Sequence, residues 1–263
     1  MPRPLIRVKR TIPMKVIKHK FEGPITIIPI SDVHIGSLEC NERAWKGFCD
    51  QLQQMPNTYI VLVGDLVNNG IRSSVANPFD ETLRPREQKY KMIEYLKPIK
   101  ERILGAVAGN HEHRTKKEVD GDITYDILCN LDLETLYRED IAFIKITCGV
   151  NSYAIALTHG CGGGVLTGSA INKNERFSGT IEGLDCFISA HTHKGAITRP
   201  SRLVFDLNHG TISQRTCTVI TAESWLNYGG YAARKMLLPA ETCRPQKLRF
   251  NDKKDGKQIT IEW

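Results

Sequence analysis

The chain has 263 residues, of which 41% are hydrophobic and 25% are charged, as is ordinary for a soluble globular protein. No apolar run approaches the roughly 20 residues of a membrane-spanning helix, and no apolar signal-peptide core follows the basic N-terminus. The composition therefore argues against a membrane protein and against export by a signal peptide. By elimination, we expect a cytoplasmic location.

The formal net charge of +7 gives a pI of about 9.0. A basic balance attracts phosphate-rich partners such as nucleic acid, but it also describes a surface that only keeps a protein in solution. The excess charge is spread along the chain, so both interpretations stay open. The eight cysteines are scattered and none forms a Cys-x-x-Cys pair, so we predict free thiols and no thiolate zinc site.

Basic and apolar side chains alternate through residues 1–22. This segment is predicted to be an edge strand, where lysines discourage aggregation, or a basic arm that binds nucleic acid. After it, apolar runs of strand length alternate with segments of helical spacing. The predicted strands cover residues 25–30, 58–63 and 103–108, and the predicted helices cover residues 41–54 with Asn41 as N-cap, 86–102 with an interruption near Pro98, and 122–131.

The second half of the chain is richer in strand patterns. Strands are predicted over residues 141–148, 152–157 and 185–189, with a polar helical stretch after residue 164. A β-rich pattern runs from residue 196 to about 226, and a last strand, 258–263, ends the basic C-terminal segment 240–263. Strands followed by helices in the first half, and strand-rich sequence in the second, predict one α/β domain, residues 1–263, with two packed sheets.

Polar side chains follow the central predicted strand directly. That strand stops at Gly109, and Asn110, His111, Glu112 and His113 come next. Open α/β sheets build active sites from polar residues at the carboxyl ends of their strands. Four further motifs follow strands in the same way: Asp32-x-His34, Gly64-Asp65, His159 before a glycine-rich loop, and His191-x-His193.

This mixed set of nitrogen and oxygen ligands suits Mn²⁺, Fe or Zn²⁺ and is too large for one tetrahedral ion. Side chains two apart in an extended segment point the same way, so each Asp-x-His or His-x-His pair is expected to converge on one place. Two ions about 3.5–4 Å apart are a recurrent device for phosphoryl chemistry, in which they activate a water and neutralise charge on the phosphate. A histidine beside the ions can then protonate the leaving oxygen.

The ordered motifs Asp-x-His, Gly-Asp, Gly-Asn-His-Glu, His and His-x-His resemble those of the calcineurin-like metallophosphoesterase superfamily. The resemblance implies a double β-sandwich flanked by helices and two divalent ions, with Mn²⁺ favoured and Fe, Zn²⁺ or Ni²⁺ as alternatives. It also assigns the site residues: Asp32, His34 and His193 to the first ion, Asp65 as the bridge, Asn110, His159 and His191 to the second ion, and His111 as the general acid.

Two positions depart from the superfamily pattern. Ala190 replaces the glycine that usually precedes His-x-His, which a small residue can do. Asn68 stands where protein phosphatases of the superfamily have the aspartate that orients the catalytic histidine, and no arginine follows it. This argues against a protein phosphatase and leaves the protonation state of His111 open.

The leading hypothesis is a two-metal phosphoesterase that uses a metal-bridging hydroxide on phosphodiesters, in nucleic acid or nucleotides. Arg72, Arg114 and His113 are the candidate substrate contacts, with ordinary surface side chains as the alternative. The rival hypotheses are a phosphomonoesterase acting on nucleotides or phosphoproteins, and a metal-binding scaffold without catalysis. Retention of every expected ligand and of His111 argues against the scaffold.

Overall fold

The computed structural model describes residues 14–74, 77–162, 164 and 166–263. Its strands are β1 (Ile17–Phe21), β2 (Ile25–Ile30), β3 (Thr58–Val63), β4 (Ile103–Val107), β5 (Tyr137–Arg138), β6 (Ile141–Cys148), β7 (Asn151–Thr158), β8 (Cys186–Ser189), β9 (Ala196–Thr198), β10 (Ser201–Asp206), β11 (Thr211–Thr216), β12 (Thr218–Thr221), β13 (Lys247–Phe250) and β14 (Ile259–Glu262). Its α-helices are α1 (Glu42–Leu52), α2 (Pro85–Leu96), α3 (Glu112–Val119), α4 (Ile123–Cys129), α5 (Thr167–Gly179) and α6 (Gly230–Arg234).

These strands form two six-stranded sheets and one separate hairpin. Sheet I has the order β14-β13-β2-β3-β4-β5, and sheet II has the order β1-β6-β7-β8-β12-β9. Strands β2 to β5 run parallel in sheet I, as do β7, β8 and β12 in sheet II. Parallel neighbours end at the same edge of a sheet, so the loops that follow them lie side by side.

The two faces of each central strand of sheet I pack into different hydrophobic cores. In β2, Ile25 and Ile27 pack between the two sheets, whereas Ile28 and Ile30 pack against helices. Alternate side chains of β3 divide in the same way. Strands covered on both faces carry continuous apolar runs, which is why the sequence of β2 does not alternate with polar residues.

Helices cover the outer face of each sheet. Trp45 of α1, Met92 of α2 and Ile127 of α4 belong to the core that covers sheet I. On the other side, α5 lies against β8 and β12, and the rings of Phe177 and Phe187 are 5.6 Å apart. The layers are therefore helix, sheet, sheet and helix, which confirms the predicted α/β class with two packed sheets flanked by helices.

Most predicted elements are confirmed, with small shifts at their ends. Asn41 is the N-cap of α1, since its side chain accepts from the Ala44 N–H at 3.1 Å. α2 ends at Leu96 and a 3₁₀ turn, Lys97–Arg102, follows it, so the interruption near Pro98 is real. β1 lies at the edge of sheet II, as the lysines predicted, while residues 1–13 of the predicted arm lie outside the described residues.

Three features were not expected from the sequence. α3 has no apolar stripe, because its one buried residue is Glu112. β13 is only four residues long and carries two basic side chains. Within the predicted β-rich stretch, β10 and β11 pair only with each other and form a hairpin outside both sheets.

The cysteines agree with the prediction from the sequence. All eight cysteines are free thiols, and four of them are buried. Among the residues that the structure describes, none of the helices is long and apolar enough to cross a membrane.

Leu248 tests the packing of β13 between the sheets. It is fully buried opposite Ile27 and Ile261, so Leu248→Ala should lower the free energy of unfolding by about 2–5 kcal/mol. Leu207, which is 83% exposed at the end of the β10–β11 hairpin, makes the matched control, and Leu207→Ala should change stability by less than about 0.5 kcal/mol. Urea unfolding followed by tryptophan fluorescence measures both, and equal effects would contradict the placement of β13.

Candidate metal centre

Loops from both sheets bring the predicted site residues together. Sheet I supplies the loops after β2, β3 and β4, and sheet II supplies the loops after β7 and β8. All the predicted ligands and the predicted acid meet there: Asp32, His34, Asp65, Asn110, His111, His159, His191 and His193.

The expected extended geometry of the paired motifs is wrong. Asp32 and His34 have φ values of +52° and +50°, and His191 and His193 have +73° and +59°. These are left-handed conformations, which residues other than glycine adopt uncommonly, although asparagine, aspartate and histidine do so more often than the rest. The pairs converge because the chain turns sharply as it leaves each strand, and backbone bonds such as His34 N–H to Asp65 O, at 3.1 Å, hold the turns. Strain of this kind is typical of functional sites.

One group of ligand atoms gathers at Asp32. Its Oδ1 lies 3.2 Å from His193 Nε2 and 3.7 Å from His34 Nε2, and the two imidazole nitrogens are 3.3 Å apart. Ser31 and the His191 N–H both donate to the other oxygen, Oδ2. Oδ1 is buried without a hydrogen-bond partner. A cation between these three side chains would satisfy that oxygen, so the donor set fits a metal ion.

A second group gathers at Asp65. Its Oδ2 lies 3.2 Å from His159 Nε2, and Asn110 Oδ1 lies 3.1 Å from the same nitrogen and 2.7 Å from His191 Nδ1. His159 Nδ1–H donates to the Val63 carbonyl at 2.7 Å, so Nε2 is the ring atom that faces Asp65. Asp65 Oδ2 is also 3.8 Å from His34 Nε2 in the first group. Asp65 therefore lies between the two groups, where a bridging ligand would have to lie.

The charges of the site are strongly coupled. Burial alone would lower the pKa of His159, but the Asp65 carboxylate overrides it and raises that pKa to about 10. Burial would likewise lower the pKa of His193, and Asp32 raises it. Both aspartates have pKa values held well below their usual range, because nearby imidazoles outweigh the effect of burial. The proton on His159 thus supplies positive charge beside Asp65 that a bound cation would otherwise supply.

The Glu112 carboxylate joins the loop after β3 to the loop after β4. Oε1 accepts from the backbone N–H groups of Leu66 at 2.7 Å and Val67 at 3.2 Å, and Oε2 accepts from those of Asp65 at 3.0 Å and Gly109 at 2.9 Å. Burial and the neighbouring Asp65 carboxylate raise the pKa of Glu112 to about 7. The sequence motif contained this residue, but its spacing did not indicate four backbone partners.

The same two loops touch backbone to backbone. A Cβ on Gly109 would collide with the Asp65 nitrogen, and a Cβ on Gly64 would lie 2.6 Å from the Gly109 nitrogen. Gly64 also has a φ of +85°. Only glycine permits this approach, which brings Asp65 against the Asn110-His111 turn.

His111 lies beside both groups, with its Nε2 3.8 Å from Asp65 Oδ2. Nδ1–H donates to the Asn68 backbone carbonyl at 2.7 Å, and Nε2 accepts from Arg114 Nη2 at 2.9 Å. Burial lowers the pKa of His111 to about 3, and His34 and Arg114 add to that effect. The imidazole is therefore neutral, and its Nε2 lone pair faces a guanidinium.

Of the three candidate substrate contacts, one is among the described residues that line a cavity over the site, and two are not. Arg114 lines a cavity of about 710 Å³ that opens over the histidines. Arg72 is exposed in the loop after β3 and is not among the described residues that line this cavity. His113 lies beside Glu139, with its Nε2 3.9 Å from Glu139 Oε1, and is also not among the described residues that line the cavity. The far wall comes from the segment 226–242, which contributes Leu226, Tyr228 and Arg234.

A further set of polar residues supports the site and was not predicted from the sequence. Asn68 Oδ1 contacts His34 Nδ1 at 3.2 Å, and Asn68 Nδ2–H donates to Glu81 at 2.8 Å. Gln88, fully buried on α2, contacts Glu81 and accepts from the Asn69 N–H at 2.7 Å. Glu81 lies in a loop and Gln88 on a helix of low apolar content, so no spacing rule connects either of them to His34.

A family model described as calcineurin-like phosphoesterase matches residues 25–195 of this chain. The match covers more than half of the chain and includes all of the ligand atoms described above. No curated protein is similar enough in sequence to match.

Solved structures that resemble this chain are distant in sequence. They include a conserved protein of Streptococcus pneumoniae TIGR4 described as a predicted phosphoesterase (15% identity, 90% of this chain and 88% of that chain, TM-score 0.39). NAD nucleotidase of Haemophilus influenzae is 10% identical over 90% of this chain and 49% of its own, with a TM-score of 0.45, so this chain spans about half of its length. A hypothetical protein from Thermus thermophilus is 10% identical over 91% of this chain and 99% of its own, with a TM-score of 0.42.

Glu112→Gln tests the carboxylate that joins the two loops. An amide has one acceptor oxygen, so buried N–H groups lose their partner and the free energy of unfolding should fall by about 2 kcal/mol or more. Glu118→Gln makes the same chemical change at an exposed position of α3 and should alter stability by less than about 0.5 kcal/mol. Urea unfolding measures both, and equal effects would contradict the assigned role.

Proposed function

This chain belongs to the calcineurin-like phosphoesterase family and is a metal-dependent hydrolase of phosphate esters, and from that premise we propose that it cleaves phosphodiester bonds with two divalent ions. One observation carries the proposal: two groups of ligand atoms, one at Asp32 and one at Asp65, lie side by side with His34 close to both carboxylates. The substrate class that we propose is nucleic acid or nucleotides.

The proposed ligands follow the two groups. Asp32, His34 and His193 would hold one ion, Asn110, His159 and His191 would hold the other, and Asp65 would bridge them. Mixed imidazole, carboxylate and amide donors suit Mn²⁺, Fe or Zn²⁺. We propose Mn²⁺, which the family resemblance favours, with Fe, Zn²⁺ or Ni²⁺ as alternatives. When bound, such ions activate water and offset the charge that develops on the phosphate.

His111 and Arg114 are the proposed groups that act on the ester itself. The Arg114 guanidinium is a natural partner for a phosphate oxygen, because its donors match the geometry of oxyanions. When Arg114 turns to the phosphate, the Nε2 of His111 loses its present donor and faces the ester. An anion beside the imidazole favours its protonated form, so His111 would take up a proton from solvent at Nε2 and then donate it to the leaving oxygen.

The cavity supports a substrate that extends on both sides of the phosphate. Its volume of about 710 Å³ is far larger than a phosphate group needs. Leu226 and Tyr228 give its far wall an apolar and aromatic surface, and Arg234 adds a positive charge beside them. A nucleoside on the second ester would find stacking and charge there, which favours a diester over a monoester.

The first test compares a chromogenic phosphodiester with the matching phosphomonoester, with Mn²⁺ present. We expect diester turnover that requires the metal and falls by roughly 10²-fold or more in His111→Ala. His209→Ala, at an exposed histidine on the β10–β11 hairpin, is the matched control and should keep full activity. A monoester preference would overturn the proposed substrate class, and turnover that survives Asp65→Ala would overturn the two-metal account.

The binding of Mn²⁺ should release protons. At pH 7 the raised pKa of His159, about 10, keeps a proton on its imidazole in the metal-free protein, and a metal ion must displace it. The apparent affinity should therefore rise with pH, by about tenfold per pH unit for each proton displaced, until the pH approaches that pKa. Calorimetric titration in two buffers of different ionisation enthalpy counts the protons, and a count of zero at pH 7 would contradict His159 as a ligand.

A further inference from the structure

The side chain of Asn68 connects a proposed metal ligand to a buried polar network. Its Oδ1 lies 3.2 Å from His34 Nδ1, and its Nδ2 donates to Glu81 Oε1 at 2.8 Å. The Asn68 backbone carbonyl meanwhile accepts from His111 Nδ1–H at 2.7 Å. The Asn68 backbone thus holds His111, and the Asn68 side chain contacts His34.

The direction of each bond in this network follows from chemistry. Gln88 Oε1 must be the acceptor from the Asn69 N–H, so Gln88 Nε2 is the donor to Glu81 and to the Leu83 carbonyl. An ionised carboxylate can only accept, so Glu81 requires the amide nitrogen of Asn68 to face it. The oxygen of Asn68 then has to face His34.

An oxygen that can only accept fixes the tautomer of the imidazole. Because Asn68 Oδ1 accepts, His34 Nδ1 has to carry the proton, and Nε2 keeps its lone pair. Nε2 is the atom that faces Asp32, Asp65 and His193. In the metal-free protein, the network therefore holds His34 in the tautomer that can coordinate a metal ion through Nε2.

We propose that Glu81, acting through Asn68, is a positioning residue that holds His34 in the Nδ1–H tautomer and so sets the metal affinity of the first site. The metal-affinity part rests on the ligands named under the proposed function, whereas the tautomer does not. Glu81 lies half-buried in the cavity wall, and the hydrogen bonds that connect its carboxylate to His34 run through Asn68. Partners of metal ligands in this position commonly change metal affinity by roughly 10–100-fold when they are lost.

The experiment has two readouts on the whole chain. Long-range proton–nitrogen NMR of ¹⁵N-histidine-labelled, metal-free protein reports the tautomer, with His34→Gln used to assign the signal. Calorimetric titration with Mn²⁺ reports affinity. Glu81→Gln should lose the fixed Nδ1–H tautomer, since an amide no longer dictates the orientation of Asn68, and should weaken Mn²⁺ binding roughly 10–100-fold.

Asp80→Asn is the matched control. Asp80 lies next to Glu81 on the same cavity wall and loses the same charge, but its side chain accepts from Asn77 and not from Asn68. This variant should keep both the Nδ1–H tautomer of His34 and the Mn²⁺ affinity. It therefore distinguishes a loss of negative charge near the site from a loss of the hydrogen-bond network. Asn68→Ala removes the acceptor directly, keeps the backbone carbonyl that holds His111, and should match Glu81→Gln if that variant folds poorly.

The outcomes separate this proposal from the proposed function. An unchanged tautomer in both Glu81→Gln and Asn68→Ala, or an Nε2–H tautomer in the unaltered protein, overturns the positioning role. A lost tautomer with unchanged Mn²⁺ affinity keeps the positioning role but overturns the claim that this role sets the metal affinity of the first site. A lost tautomer with weaker binding supports both. Equal weakening in Asp80→Asn would overturn the network as the cause of the affinity change.

Discussion

The site depends on one buried carboxylate that belongs to no catalytic step. Glu112 accepts four backbone N–H groups from the loops after β3 and β4, so the ends of two neighbouring strands share one acceptor. That bond network brings Asp65 and the Asn110-His111 turn together, and the two glycines allow the backbones to touch. Glu112 thus adds to the bonds from the His34 and His111 N–H groups that hold Asp65 between the two groups of ligand atoms.

The composition of the site could be predicted from the sequence, because each site residue follows an apolar run that ends a strand. Parallel strands bring such residues to one edge, and the order of the motifs resembles a known superfamily. The left-handed turns at Asp32 and His191 could not be predicted in this way, since the expected extended geometry came from strand periodicity and the residues lie beyond the strands.

The supporting residues were harder to predict, for a physical reason. Glu81 and Gln88 reach His34 only through Asn68, and such contacts depend on how a loop and a helix pack, not on spacing along the chain. Helix α3 was not predicted from the sequence, because its buried residue is a glutamate and the helix therefore has no apolar stripe. The protonation of His111 likewise depends on Arg114, one turn along α3, and on burial that the sequence does not display.

The two sheets contribute unequal halves of the site, and this has a mechanical consequence. Asp32, His34, Asp65 and Asn110 follow strands of sheet I, whereas the remaining three proposed ligands follow strands of sheet II. The apolar layer between the sheets therefore acts as a spacer that sets how far apart the two halves stand. Interiors packed as densely as molecular crystals compress little. The distance between the ligands of the two sheets therefore depends on the stiffness of the apolar side chains between them, such as Ile27 and Ile155. These side chains are not among the proposed metal ligands or substrate contacts.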